Sequence, residues 1–187
     1  EAFTSTLDIQ AAEVYTEANL IPTSSLPFSG SSQTGTTYNT VGSNVMKYWY
    51  RHRLTKHNIG HDVWFFLNPT GSADGITPQI IQSQQQTNFI SPKYSISSLA
   101  NSNTEDATPG YGVKVFVSTN SSSPSAGDQL DPTKFVFDYK TGVLQFVLTA
   151  DAPSDSQYLY ISTYQYVGRT LKDSLDSLGS AGIFQQT

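Results

Sequence analysis

Where the chain shows a pattern of hydrophobic and polar positions, its period is mostly two, the period of strands. Val45 to Leu54 (VMKYWYRHRL) sets Tyr48, Tyr50, His52 and Leu54 against Trp49, Arg51 and Arg53. Val63 to Leu67 (VWFFL) is a short, wholly apolar strand ended by Asn68-Pro69 and Gly71. The pattern predicts that these two strands form a hairpin around Thr55 to Asp62. Tyr111 to Thr119 (YGVKVFVST) and Tyr158 to Val167 (YLYISTYQYV) are further strands, with weaker candidates at Gln79–Ile81 and within Phe89–Leu99. Stretches rich in Pro, Gly, Ser and Thr at 21–44, 101–110 and 120–132 read as loops.

The segment FDYKTGVLQF, Phe137 to Phe146, predicts a tight hairpin. Lys140-Thr141-Gly142 supplies three loop residues, with Gly where a left-handed backbone is wanted. If Tyr139 pairs with Val143, then Phe135, Phe137, Val143 and Val147 share one face and Val136, Leu144, Phe146 and Leu148 the other. Shifting the register by one residue reshuffles the faces without making either polar. Something must therefore cover a second, partly apolar side of this hairpin.

Only near the C-terminus does the period lengthen. Gly168 ends the last strand, Thr170 and Asp173 form a capping box with Asp in place of Glu, and Leu171, Leu175 and Leu178 recur at helical spacing. Gly179 is placed to stop this helix. A helix so short is unstable alone and has to dock on its own domain or on a partner. The chain thus divides into an N-terminal arm (1–20), an all-β domain (21–168) and a C-terminal tail with a short amphipathic helix (169–187). Many short strands, turn signals between them and no long helical period predict a single β-sandwich, jelly-roll-like in form.

Composition narrows the function classes. Charged residues are 13% of the 187, about half the usual share, and Ser, Thr, Asn and Gln take their place. The net charge of -5 argues against a grip on nucleic-acid phosphates. With no cysteine, disulfides and thiolate metal sites are excluded. The longest clean apolar run, Val63 to Leu67, is far short of a membrane span.

Three constellations could carry chemistry. His52, His57 and His61 with Asp62 are zinc or iron ligand types, but their spacing matches no metal motif, and ordinary loop and strand-end histidines are the better reading. Lys47, Arg51, Arg53 and Lys56 beside Tyr48, Trp49 and Tyr50 could take single-stranded nucleic acid or an acidic glycan. Stacking of cations on rings across an exposed sheet face is the favoured alternative. Tyr158, Tyr160, Tyr164 and Tyr166 form a row on one strand face, suited to packing at a subunit contact or to stacking on sugars. Catalytic motifs such as GxSxG, a P-loop or a Rossmann fingerprint are missing, and the acids lie in turns. A non-enzymatic protein without cofactors is expected.

Two segments carry a resemblance. VFDYKTGVLQFV, followed about a dozen residues later by YLYISTYQYVGRTL, is similar to a pairing near the ends of β-rich domains in virion proteins of tailed phages, especially those of marine and cyanobacterial hosts, and of some large DNA viruses. Phe137, Tyr139, Gly142, Leu144 and Phe146 fill the first half of the pattern; Tyr164, Tyr166, Gly168, Thr170 and Leu171 fill the second. The resemblance covers Phe135 to Leu171, about a fifth of the chain. It implies a structural role in a tail fibre, appendage or capsid decoration, location in the virion, and contacts with other virion proteins. It also implies homo-oligomeric, often three-fold, assembly. The tyrosine row together with Leu171, Leu175 and Leu178 is the expected contact surface, with a host glycan as the alternative ligand.

Overall fold

The computed structural model describes residues 14–23, 26–28, 37–40, 42–57, 62–66, 87–94 and 110–180. They form two four-stranded antiparallel sheets and one short C-terminal helix. In chain order the strands are β1 (Thr37–Thr40), β2 (Ser43–Arg53), β3 (Thr55–Lys56), β4 (Val63–Phe65), β5 (Lys114–Ser118), β6 (Phe135–Asp138), β7 (Val143–Phe146) and β8 (Tyr158–Tyr166), followed by the helix α1 (Leu171–Ser180). The first sheet runs β1-β2-β8-β5 and the second β3-β4-β7-β6. No helix among the described residues is long and apolar enough to cross a membrane.

Two expectations for the first half are corrected. β1 lies in the stretch read as loop, turning into β2 through Gly42 at φ +82°. The hairpin expected between Val45–Leu54 and Val63–Leu67 shrinks to the two-residue pairing of β3 with β4, because β2 belongs to the other sheet. The chain changes sheets at Leu54, whose N–H donates to Leu159 O at 2.8 Å. A bulge prepares this step. Between Trp49↔Thr163 and His52↔Ile161, β2 has one residue more than β8, and Arg51 sits at φ +46°. Ser162 Oγ accepts the bulged Arg51 N–H at 2.8 Å, replacing the lost ladder bond. The bulge also breaks the alternation, bringing the Trp49 and His52 rings within 5.1 Å of each other.

Phe89 makes an isolated bridge to Gln165 and is followed by a 3-10 turn at Pro92–Tyr94, not a strand. The candidate at Gln79–Ile81 lies outside the described residues. The predicted helix starts as expected: Thr170 Oγ1 accepts from Asp173 N at 3.3 Å, and Asp173 Oδ2 accepts from Thr170 N at 2.8 Å. It continues through Gly179 to Ser180, nearly three turns.

The hairpin register differs from the one considered first. Asp138 pairs with Val143, so Phe135, Phe137, Leu144 and Phe146 are all buried, while Val136, Asp138 and Gln145 are exposed. Asp138 sets this register by accepting from Lys140 N and Thr141 N through its carboxylate and from Gly142 N through its carbonyl. Tyr139 therefore leaves the ladder; its hydroxyl accepts from Val113 N at 3.0 Å.

Two buried clusters follow. One draws on both sheets: Trp49, Val115, Leu159 and Ile161 from the first meet Trp64, Phe135, Phe137, Leu144 and Phe146 from the second. The other lies on the opposite face of the first sheet, where Met46, Tyr48, Tyr164 and Tyr166 meet Ile21, Ile90 and Tyr111. Fully burying one such side chain contributes about 1.5–3 kcal/mol, so both faces of the first sheet are held.

Candidate functional site

The tyrosine row of β8 is interior, which corrects the expectation that it forms a contact surface or sugar platform. Tyr160, Tyr164 and Tyr166 are each at most 3% exposed, and only Tyr158 is half-buried. The chain itself covers them. Tyr160 OH donates to Asn120 O, and Tyr164 OH donates to Phe28 O while accepting from Phe28 N at 3.3 Å. Tyr166 OH donates to Arg169 O and accepts from Glu17 N at 3.1 Å. A tyrosine serves here because its ring fills the apolar layer while its hydroxyl satisfies backbone groups of the covering segment. Burial raises the Tyr164 and Tyr166 hydroxyl pKa values, that of Tyr166 to about 12.

The described part of the N-terminal arm is thus docked on its own domain. Tyr15 stacks on Tyr166 at 4.0 Å between ring centroids and bridges to Thr170. Thr16 N donates to Arg169 O at 3.1 Å, Leu171 N donates to Val14 O at 2.8 Å, and Glu17 Oε1 accepts from Arg169 N at 2.9 Å. Gly168 leaves room for this knot: a Cβ there would lie 2.8 Å from the Tyr166 hydroxyl. Tyr166→Phe removes one donor and one acceptor from the knot. It is expected to cost about 1–2 kcal/mol and to speed hydrogen exchange at the Thr16 and Leu171 amides more than at the amides of β5.

Beyond the knot, α1 presents Leu171, Leu175 and Leu178 at 38%, 42% and 39% exposure. Val14, tied to Leu171 through its carbonyl, is 48% exposed, and Val167 is also exposed. Steps of four and three residues between the leucines give the spacing of a coiled-coil seam. Lys172 and Asp176, an i, i+4 pair at 3.1 Å, flank it. Elsewhere Val136 on β6, and Val147 and Leu148 in the bend that follows β7, are exposed.

The basic-aromatic strand behaves mainly as cation–ring packing. Lys47 lies over Trp49 at 4.7 Å, Arg51 over Tyr50 and Phe116 at 4.9 Å each, Arg53 over Tyr158 at 4.0 Å and Lys56 over Trp64 at 5.6 Å. Arg51 also donates to Pro124 O at 3.0 Å. Arg53 and Lys56 differ from the other two in bordering a cleft of about 190 Å³. Asp155 and Gln157, from the turn before β8, share its rim. Sequence reasoning missed these two; the polar turn DAPSDSQ directly ahead of Tyr158 was the available signal.

His52 packs 4.8 Å from the Phe66 ring, and His57 lies edge-on to Phe65. Asp62 Oδ2 accepts from Thr149 Oγ1 at 2.7 Å. His61 lies outside the described residues. Among the described residues no group of three or more His, Asp or Glu side chains could hold a metal ion. Comparison with family models, with curated proteins and with solved structures finds no match.

Proposed function

We propose that this chain is a non-enzymatic structural protein of a virion, in the class of tail-fibre, appendage or capsid-decoration domains, and that it works by assembling with further copies of itself and with other virion proteins. The observation that carries the reading is the half-exposed seam of Leu171, Leu175 and Leu178. Its leucine spacing is self-complementary, so the occupant is the same helix of neighbouring copies, three around one axis by the resemblance in Phe135–Leu171. Charges on α1 are few and of both signs (Lys172, Asp173 and Asp176), so like helices approach without strong repulsion. The exposed Val136 on β6, with Val147 and Leu148 just after β7, suits a contact with a different virion protein.

The architecture beneath this seam is read as a β-sandwich of jelly-roll type. Support comes from the buried cluster shared between the sheets and from nested pairing: β2 pairs with β8, and inside that pair β4 pairs with β7. The chain alternates between sheets as a folded-over ribbon does.

Each leucine buried from about 40% exposure contributes on the order of 1 kcal/mol. The variant carrying Leu171→Ser, Leu175→Ser and Leu178→Ser is therefore expected to weaken self-association about a hundredfold, with the unfolding midpoint of the β domain little changed. Light scattering behind a sizing column measures this. A wild-type protein that stays monomeric at every concentration would overturn the assembly reading.

A further inference from the structure

We propose that the cleft between the end of β2 and the turn preceding β8 is a binding site for a carboxylated sugar. Its floor is apolar: Leu54, Trp64 and Leu159, all buried, line it. These residues close the cleft from below but keep little open surface, so a ligand is held chiefly by the rim, and a volume of about 190 Å³ suits one pyranose ring better than a chain of them.

The rim supplies the polar half. Stacking on Tyr158 at 4.0 Å holds the Arg53 guanidinium flat, and Ser121 O takes one of its five N–H donors at 3.3 Å. A planar fork fixed in this way matches a carboxylate in bidentate fashion. Lys56 adds a second cation. Its present partner is Asp155 at 3.7 Å, with the two side chains 50% and 102% exposed. So open a pair contributes little, and Lys56 can exchange Asp155 for a ligand carboxylate at small cost. Asp155 then becomes an acceptor for ring hydroxyls. Gln157 Oε1 is engaged by Ser154 N at 2.9 Å, so the part of the amide that can serve a ligand is its NH2 group.

Nucleic acid fits this cleft less well. Every added phosphate would meet the Asp155 carboxylate and a chain of net charge -5. One carboxylate on an otherwise neutral ring meets two cations and one acid. The site is independent of the leucine seam on α1.

The test is a titration of the 15N-labelled full chain, following the Trp64 indole N–H, with galacturonate, N-acetylneuraminate, galactose and a short oligothymidylate. The expected result is a saturable Trp64 shift with at least one of the two carboxylated sugars, and binding at least about tenfold weaker for galactose. Lys56→Met, a change at a half-exposed side chain, is expected to weaken carboxylated-sugar binding about tenfold while leaving the unfolding midpoint in place. Arg53→Met is expected to weaken it further. Equal binding of galactose, no saturable shift with either acid, tighter binding of the oligothymidylate, or acid binding unchanged in a folded Lys56→Met protein would each overturn the proposal.

Discussion

Replacing Gly142 with alanine is expected to cost about 2–5 kcal/mol of stability. Two effects add. Gly142 sits at φ +75°, a left-handed backbone that costs a residue with a Cβ about 1–2 kcal/mol. The new Cβ would also lie 3.0 Å from Phe89 Cε2, 3.1 Å from the Phe66 Cβ and 3.1 Å from the Thr87 methyl. Phe66 and Phe89 are packed edge-on to each other at 5.0 Å in the cluster shared by both sheets, so neither ring can retreat freely, and overpacking costs about 1–3 kcal/mol. Two other glycines separate the terms. Gly42→Ala, at φ +82° with nothing within 4 Å, should show the backbone cost alone, and Gly127→Ala, with open space and no left-handed φ, should be close to neutral. Urea unfolding of the three variants measures the order. Equal losses at Gly42 and Gly142 would refute the packing contribution.

The second large effect has the opposite sign. Lys114→Met is expected to stabilise the protein by up to about 3 kcal/mol at pH 7. Lys114 is 6% exposed on β5, and burial pulls its ammonium down from 10.5 to about 8. Below pH 8 both the folded and the unfolded chain carry the proton, and the folded state bears the net cost of a buried charge. Between about pH 8 and 10.5 the folded state releases the proton while the unfolded chain keeps it, so wild-type stability rises with pH and the advantage of the methionine variant closes. The buried tyrosines act above that window. The hydroxyl pKa values of Tyr139, Tyr160, Tyr164 and Tyr166 are raised, chiefly by burial. From pH 10 upward the unfolded chain ionises first, so the stabilisation from keeping these hydroxyls neutral is lost as pH rises. Wild-type stability should therefore peak between about pH 8 and 10, and Lys114→Met should lack the rising limb. Unfolding midpoints across that range decide it. A variant with the same rise as wild type would refute the assignment to Lys114.

Which features could be read in the sequence follows from how local their causes are. The capping box at Thr170 and Asp173, the left-handed Gly142 in its turn and the strand at Tyr158–Val167 depend on neighbours a few residues away, and all three appear in the structure. Strand partnership does not have local causes. β2 and β4 looked like a hairpin because they are adjacent in sequence, yet an extra residue at Tyr50–Arg51 and a backbone bond from Leu54 to Leu159 send them to different sheets. The tyrosines of β8 were misplaced for a related reason. A residue with a polar tip looks suited to a surface, and only the fold reveals that backbone from Glu17, Phe28, Asn120 and Arg169 meets those tips. The cleft was half visible: Arg53, Lys56 and Tyr158 stood out, but Asp155 and Gln157 looked like ordinary turn formers. The segments that carry the resemblance include two glycines with almost no room for a methyl group, Gly142 and Gly168, so a packing reason exists for glycine at each.

Among the described strands β8 is the last in chain order, and it lies between β2 and β5. A chain emerging from the ribosome therefore holds the apolar residues of β2 and β5 with no partner between them until residues 158–166 appear. The first sheet cannot close before β8 is made; β2 then joins β8 in a long-range step between residues more than a hundred positions apart. Until then the nascent protein carries exposed strand edges, the state in which chains most readily associate wrongly. The same strand order leaves an unfinished chain without its first sheet. A chain cut short before residue 158 lacks the strand between β2 and β5, the tyrosine anchors for Glu17 and Phe28, and the leucines of α1 together.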